Sequence, residues 1–164
     1  MLIIRSVKTE EQIQQLAEMA SQIWNEYFTE IISKEQITYM VEKFQSASAI
    51  TEQIQDGYQY YFIINDMEII GYFGICKQED NTRFLSKLYL IKEQRGKGHA
   101  SQAFRFIKEK ALEQRCSSIW LTVNRHNQQA IAVYEHLGMQ RIQEKATDIG
   151  NGFVMDDFVY SFSL

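Results

Sequence analysis

The segment from residue 83 to residue 123 constrains the fold of this chain more than any other. It joins an apolar run at 83–91, the glycine-rich stretch EQRGKGHAS (93–101), an amphipathic helical pattern and a second apolar run at 118–123. A helix between two strands is the connection that neighbouring parallel strands require, because a tight turn cannot join them. Proline is absent from the chain, so glycine has to supply its sharp turns. The segment therefore predicts one crossover unit.

Helical periodicity dominates the first third of the chain. Apolar residues recur at intervals of three and four, at Ile13, Leu16, Ala17, Ala20, Ile23, Trp24, Tyr27 and Phe28. This spacing predicts a helix with one buried face. A short strand at residues 2–7 precedes it. Two further helices follow, one capped by Ser33 and one at about residues 48–55 that ends at Gly57.

Strand patterns dominate the rest of the sequence. The predicted elements are strands at 58–64, 68–77, 83–91 and 118–123, a helix at 127–137, and strands at 140–149 and 153–162. The first two strands and the last two form hairpins, the latter across Gly150-Asn151-Gly152. The order of elements predicts a mixed α/β fold in one domain, residues 1–164.

Composition argues against several classes of protein. A net charge of −4 is unlike that of a generic nucleic-acid binder, which carries a basic excess. No apolar stretch approaches the ~20 residues of a membrane-spanning helix. The N-terminal sequence also becomes polar too early for a secretory signal. We therefore expect a cytoplasmic protein without nucleic-acid or membrane partners.

Cysteine and histidine spacing indicates no metal site. Cys76 and Cys116 are the only cysteines, and they predict buried free thiols in a reducing compartment. His99, His126 and His136 have no ligand spacing among themselves, so we expect exposed or structural roles for them.

The glycine-rich stretch has the features of an anion site. A helix that begins after a glycine corner presents unpaired backbone N–H groups, and the absence of side chains at Gly96 and Gly98 lets a phosphate approach them. Arg95 and Lys97 add positive charge there. The P-loop spacing GxxxxGK(S/T) is absent, and the third glycine of a Rossmann GxGxxG is replaced by Ser101.

Two motifs together give the chain a family resemblance. The glycine-rich stretch fits the pattern Q/R-x-x-G-x-G/A at Arg95, Gly98 and Ala100. A later segment, LTVNRHNQQAIAVYEHLGM (121–139), has an Asn, an Ala three residues on and a Tyr four further, on one helix face. With these motifs the chain resembles the GCN5-related N-acetyltransferase (GNAT) family.

The resemblance implies a fold, an activity and a set of site residues. The fold is that of acyl-CoA N-acyltransferases, with a mixed, mostly antiparallel central sheet flanked by helices. The activity is transfer of acetyl from acetyl-CoA to an amine by direct attack. Acetyl-CoA would contact Leu88, Tyr89, Leu90, Arg95, Gly96, Lys97, Gly98, His99, Ala100, Ser101, Asn127 and Ala130. Tyr134 would face the thioester sulfur as the catalytic proton donor.

Several alternatives remain open at this point. Tyr134 could be a core tyrosine with a satisfied hydroxyl. A non-catalytic acyl-CoA sensor of the same fold, or a Rossmann-like protein that binds the extra phosphate of NADP through Arg125, would also use a glycine corner. The chain departs from the family pattern at His99, where a small aliphatic residue is usual, and at Ala100, where glycine is commoner.

The acceptor is the least determined part of the site. A weaker resemblance to a polyamine-acetyltransferase-like bacterial subgroup suggests a polyamine or another small cationic amine, and a protein amine also fits. The candidates for the general base are Glu26, Glu30, Asp156 and Asp157. Adjacent strand residues point to opposite faces, so one of the two aspartates at most lines a given cleft. The aromatic residues expected in the core, one or two of which would wall the acceptor pocket, are Trp24, Tyr27, Phe28, Tyr39 and Tyr72. The family resemblance allows a homodimer, which the residues themselves do not indicate.

Overall fold

The computed structural model describes residues 2–164. The helices are α1 (Glu10–Tyr27), α2 (Lys34–Phe44), α3 (Ala47–Gln55), α4 (His99–Glu113) and α5 (Gln128–His136). The strands are β1 (Leu2–Ser6), β2 (Gln59–Asn65), β3 (Glu68–Lys77), β4 (Arg83–Leu90), β5 (Ser118–Asn124), β6 (Gln140–Gly150) and β7 (Phe153–Ser163). The elements predicted from periodicity are therefore confirmed in type and order, with ends that differ by one to a few residues.

All seven strands form one sheet in the order β1-β2-β3-β4-β5-β7-β6. Every neighbouring pair is antiparallel except β4 and β5, which are parallel and joined by the crossover helix α4. The predicted α/β class, with a mixed, mostly antiparallel sheet and one crossover unit, is confirmed.

Helix starts follow local capping chemistry. Ser33 caps α2 as predicted, because its hydroxyl accepts the backbone N–H of Gln36 at 3.1 Å. The N-cap of α1 was not predicted. There Thr9 and Gln12 form a reciprocal capping box, which starts the helix three residues before its first buried apolar residue, Ile13.

Both faces of the sheet are covered. On one face α4 packs Phe104 and Ile107 against the centre of the sheet, and on the other α1 packs Leu16 and Ala20 against Tyr72. Cys76 and Cys116 are buried and free, as expected. No helix within residues 2–164 is long and apolar enough to cross a membrane.

The parallel pair β4–β5 is paired over a very short length. Only Arg83 with Ile119 and Phe84 with Trp120 are in register, and the rings of Phe84 and Trp120 stack at 4.3 Å at this closed end. Beyond Phe84 the two strands diverge, and a cleft lies between them. The fold thereby leaves unpaired strand edges at the centre of the molecule, next to the start of α4.

Candidate active site

One cleft of about 720 Å³ runs through the gap between β4 and β5. Its walls are the diverging strands, the start of α4, the inner face of α5 and, on the opposite side, α1, α2 and α3. This volume is typical of a small-molecule site. Of the thirteen residues expected at the site, all except Lys97 line this cleft.

The glycine corner lies at one end of the cleft. Gly96 and Gly98 have φ of +75° and +81°, a left-handed conformation that favours glycine, and Gly98 is the N-cap of α4. No side chain within the described residues caps this helix, and a Cβ added at Gly98 would meet no atom within 4 Å. The first backbone N–H groups of α4 therefore face open space, an arrangement suited to an anion.

The positive charge at the corner is arranged differently from the prediction. Arg95 does not extend toward open space. Its Nε donates to the carbonyl of Leu90 at 3.0 Å, its guanidinium pairs with Glu26 at 2.8 Å and it lies over the ring of Tyr27 at 4.7 Å. Lys97 is exposed and lies outside the cleft lining. Arg95 therefore links the glycine-rich stretch to α1 through Glu26 and Tyr27. The backbone N–H groups at the start of α4 are then the main hydrogen-bond donors available to a phosphate.

The backbone of β4 supplies a donor at the centre of the cleft. The N–H of Ile91 bonds to Ile70 of β3 at 2.9 Å. Because successive residues of a strand direct their backbone groups to opposite sides, the N–H of Leu90 points toward the gap, where β5 has diverged. Gly71 permits this geometry, since a Cβ there would lie 2.3 Å from the carbonyl oxygen of Tyr89.

The start of α5 is tied to α1 across the cleft. The Oδ1 of Asn127 caps α5 by accepting the N–H of Ala130 at 3.2 Å, and it also accepts the hydroxyl of Tyr27. Asn127 was expected to contact the CoA arm. What the structure shows is this capping role and the bond to Tyr27 of α1, a partner that the sequence did not indicate. Ala130 and Tyr134, one turn apart, both face the cleft.

Tyr134 is a neutral phenol in this setting. Desolvation in the cleft raises its pKa above the ordinary value, and the neighbouring Tyr27 raises it further. Tyr89, on β4, also has its pKa raised by burial, with Tyr134, Tyr27 and Asp157 adding to the effect. These groups therefore lie near one another, and Tyr134 keeps its proton at neutral pH.

Of the four candidate bases, Asp157 is the one that lines the cleft within the described chain. It is 5% exposed, and burial followed by the charge of Asp156 raises its pKa to about 6, with Lys145 acting in the opposite direction. Asp156 points to the other face, with its Oδ1 2.9 Å from the Nε of Arg125. Glu26 is exposed and paired with Arg95, and Glu30 is exposed.

The aromatic residues divide between core and cleft. Trp24, Tyr27 and Phe28 line the cleft. Tyr72 is fully buried behind it, where its hydroxyl donates to Gln45 at 2.9 Å, and Tyr39 bonds instead to the carbonyl of Ile149 at 2.6 Å. Three of the five aromatic residues therefore line the cleft as a whole, and which of them wall the acceptor pocket stays a prediction.

Two residues of the site, Lys87 and His136, were not recognised from the sequence. Lys87, within the apolar strand β4, lines the cleft and is 8% exposed, and burial lowers its pKa to about 7. His136 lines the cleft from α5, and His99, which was expected at the site, has both ring nitrogens buried and without a partner among the described residues. The sequence signal that could have identified Lys87 is the presence of one lysine among the apolar residues of β4.

The NADP alternative has no support in this geometry. Arg125, considered as a ligand for an NADP phosphate, contacts Asp156 and Glu144 on the β6–β7 hairpin. Within residues 2–164, no group of three or more His, Cys, Asp or Glu side chains is arranged to hold a metal ion.

Comparison with known proteins places the chain among acetyltransferases. The model of the "Acetyltransferase (GNAT) family" matches residues 17–139. Escherichia coli YjgM, an uncharacterised N-acetyltransferase, is 32% identical over 91 residues, which cover 54% of each chain. Bos taurus thialysine N-epsilon-acetyltransferase is 32% identical over 73 residues, 44% of this chain and 43% of that protein. This chain thus spans about half of the length of these curated relatives.

A solved structure has the same fold. It is the PaiA N-acetyltransferase of Thermoplasma acidophilum in complex with coenzyme A, with a TM-score of 0.80 and a sequence identity of 20%. The match covers 100% of this chain and 99% of that one.

Proposed function

Because this chain belongs to the acetyltransferase (GNAT) family, we propose that it transfers an acetyl group from acetyl-CoA to a primary amine by direct attack in a ternary complex. The proposal rests on the gap between β4 and β5, which joins a helix N-terminus, a free strand N–H and a neutral tyrosine in one cleft. The comparison with the bovine enzyme supports an amine acceptor. A cleft of about 720 Å³ is typical of small-molecule sites, which favours a small amine, whether polyamine or other amine, over a protein amine.

Acetyl-CoA would enter from the α4 side. Its pyrophosphate would lie on the amides between Gly96 and Ser101, where open space meets the positive end of the helix. Its pantetheine arm would lie along the free edge of β4 at Leu88–Leu90, with Asn127 and Ala130 on the other side. Acetyl-CoA supplies the activated thioester, and the residues of this chain position that thioester for attack.

The first chemical step is removal of a proton from the acceptor. An ammonium group cannot attack until it loses one proton. Asp157 is buried beside Tyr89 and ionised above pH 6, so its carboxylate would take that proton and become a carboxylic acid. The amine then has a free electron pair in an apolar cleft, where its neutral form is favoured.

The second step forms a tetrahedral intermediate. The amine nitrogen bonds to the thioester carbon, and the carbonyl π electrons move to the oxygen, which becomes negative. The N–H of Leu90 points into the gap and would donate to this oxygen. Leu90 itself is held in place by Arg95, which bonds to its carbonyl.

The third step expels the thiol. The electron pair on the oxygen re-forms the carbonyl bond as the C–S bond breaks, the C–S pair goes to sulfur, and the phenol of Tyr134 would give sulfur a proton. The amide nitrogen then loses its extra proton, which restores the phenol. The net products are N-acetylated amine, CoA thiol and the proton held by Asp157.

A screen of small amines with acetyl-CoA tests the proposal. Release of CoA thiol that depends on an added amine, together with a product heavier by one acetyl group, is the expected result. Tight binding of acetyl-CoA without amine-dependent release across the screen would instead make the chain an acyl-CoA sensor.

The pH profile of kcat/KM should show the ionisation of Asp157. We expect kcat/KM to rise with pH up to about pH 6 and then to lose this dependence, because only the carboxylate form accepts the proton. Asp157→Asn should remove this limb and lower kcat/KM by about 10²-fold or more. The initial rates would be measured from pH 5 to pH 9.

Asp156→Asn is the matched control, since Asp156 is adjacent but faces away from the cleft. This variant should keep the acidic limb, moved slightly to lower pH because one negative neighbour is gone. An unchanged limb in Asp157→Asn would show that another group is the base.

A further inference from the structure

Acetyl-CoA would enter from the α4 side, so the part of the cleft toward α1, α2 and α3 is the acceptor half. It contains one buried lysine and one buried aspartate, and neither has a partner of opposite charge. Lys87 is 8% exposed and Asp157 is 5% exposed, and both line the cleft. The ion pairs found within residues 2–164 involve neither of them. A buried charge without an opposite charge is costly, so a ligand that brings both missing charges would be stabilised at this position.

The surroundings of Lys87 satisfy its hydrogen bonds without neutralising its charge. Its Nζ donates to the carbonyl of Phe44 and to Oε1 of Gln53, both at 2.9 Å, and to the hydroxyl of Tyr60. It also lies 4.9 Å from the centre of the Tyr60 ring. All of these groups are neutral acceptors. An arriving carboxylate would replace one of them and add the negative charge that the site lacks.

The rest of this half of the cleft has no charged side chain among the described residues. Its wall includes the apolar side chains of Trp24, Phe28, Ile32, Met40, Phe44 and Met155, together with the neutral amides of Gln36 and Gln45. Asp157 is the one acidic side chain among the described residues that line the cleft. A polyamine carries ammonium groups along its length, and each one beyond the first would meet an apolar wall or the charge of Lys87 rather than a carboxylate.

Lys87 is separated along β4 from the place of reaction. Lys87 precedes Leu90 by three residues on β4, which corresponds to about 10 Å along the strand. The reacting amine has to lie near the N–H of Leu90 and near Tyr134. A second group of the acceptor that reaches Lys87 therefore lies several bonds away from the amine.

We propose that the acceptor is an amine joined through an apolar spacer to a carboxylate, with the amine at Asp157 and the carboxylate at Lys87. This assignment rests on the acetyl transfer proposed above and specifies its acceptor. Lys87 is then a specificity-determining residue, and it discriminates against a second ammonium group.

Three eight-carbon amines test the assignment: 8-aminooctanoate, octylamine and 1,8-diaminooctane end in a carboxylate, a methyl group and an ammonium group, so the charge of the far end is negative, absent and positive. In the unmodified protein with acetyl-CoA, kcat/KM should be highest for the carboxylate, about ten- to hundredfold above octylamine, and lowest for the diamine. Lys87→Met should reduce the differences among the three to a few-fold. Arg83→Met, which removes another buried cation of β4 outside the cleft lining, should preserve the order.

The results also separate this assignment from the proposed function. Two results would overturn the carboxylate assignment while acetyl transfer stands. One is that the three amines have equal kcat/KM values, or the reverse order, in the unmodified protein. The other is that the predicted order is unchanged in Lys87→Met. Binding of the products is measured in parallel by calorimetry with CoA present. If no amine is acetylated, Lys87-dependent binding of N-acetyl-8-aminooctanoate over N-octylacetamide would support the carboxylate site and reject the transfer. Equal binding of the two would reject the carboxylate site as well.

Discussion

Tyr134→Phe should lower the rate of acetyl transfer by about 10²–10⁴-fold with little change in acetyl-CoA affinity. The substitution keeps the ring and its packing in the cleft and removes only the hydroxyl. A bare thiolate in a partly enclosed, largely apolar site is costly, so the loss appears mainly in the transition state. Single-turnover rates are the measurement of choice, because product release can mask an effect on kcat.

Tyr160→Phe is the matched control for this substitution. Its hydroxyl bonds to Glu135 of α5 at 2.9 Å, but Tyr160 does not line the cleft. This variant loses a phenolic hydroxyl that supports the same helix, and we expect it to stay within a few-fold of the unmodified protein. A Tyr134→Phe rate within a few-fold would show that water protonates the thiolate. A loss of acetyl-CoA affinity with an unchanged rate would make Tyr134 a binding residue.

Gly98→Asp should weaken acetyl-CoA binding by about a hundredfold or more while the fold survives. The new carboxylate would occupy open space at the start of α4 and oppose the pyrophosphate, and like charges held in contact cost several kcal/mol. Calorimetric titration with acetyl-CoA measures the effect directly.

Gly152→Asp provides a control with nearly the same backbone. Gly152 has φ of +79°, close to the +81° of Gly98, and a Cβ at either residue meets nothing within 4 Å. Both variants therefore carry a similar conformational cost, but Gly152 lies in the β6–β7 turn, outside the cleft lining. Acetyl-CoA affinity should be unchanged in Gly152→Asp. Equal affinities in the two variants would place the phosphates elsewhere.

The fold was predictable because its signals are local. In α1 the signal is the spacing of apolar residues by three and four, and in α2 it is the cap at Ser33. Each of these signals involves only residues that are close in sequence. The glycine corner was also predictable from the sequence, because glycine adopts the left-handed backbone found at Gly96 and Gly98 more readily than any other residue. The Thr9 cap was missed because polar residues fill that region and several could start the helix.

The parts of the site that were not predictable depend on contacts between distant segments. Arg95 pairs with Glu26 from a separate helix, and no spacing in the sequence indicates that pair. Strand alternation showed that at most one of Asp156 and Asp157 would face the cleft, but whether one does, and which, depends on the register of β7 against β5. The chemistry of Lys87 depends on burial by α2 and α3, which a lone lysine in a strand does not reveal.

A single turnover with acetyl-CoA labelled in its acetyl group tests the central claim most directly. The protein is held in excess with labelled acetyl-CoA, an accepted amine is added, and label in the protein, in the amine and in intact acetyl-CoA is followed over time with free CoA thiol. Direct attack predicts that label passes to the amine with one thiol released for each acetylated amine, and that the protein never becomes labelled. Label that appears first on the protein, or that stays in intact acetyl-CoA while the complex remains bound, would contradict the proposed reaction.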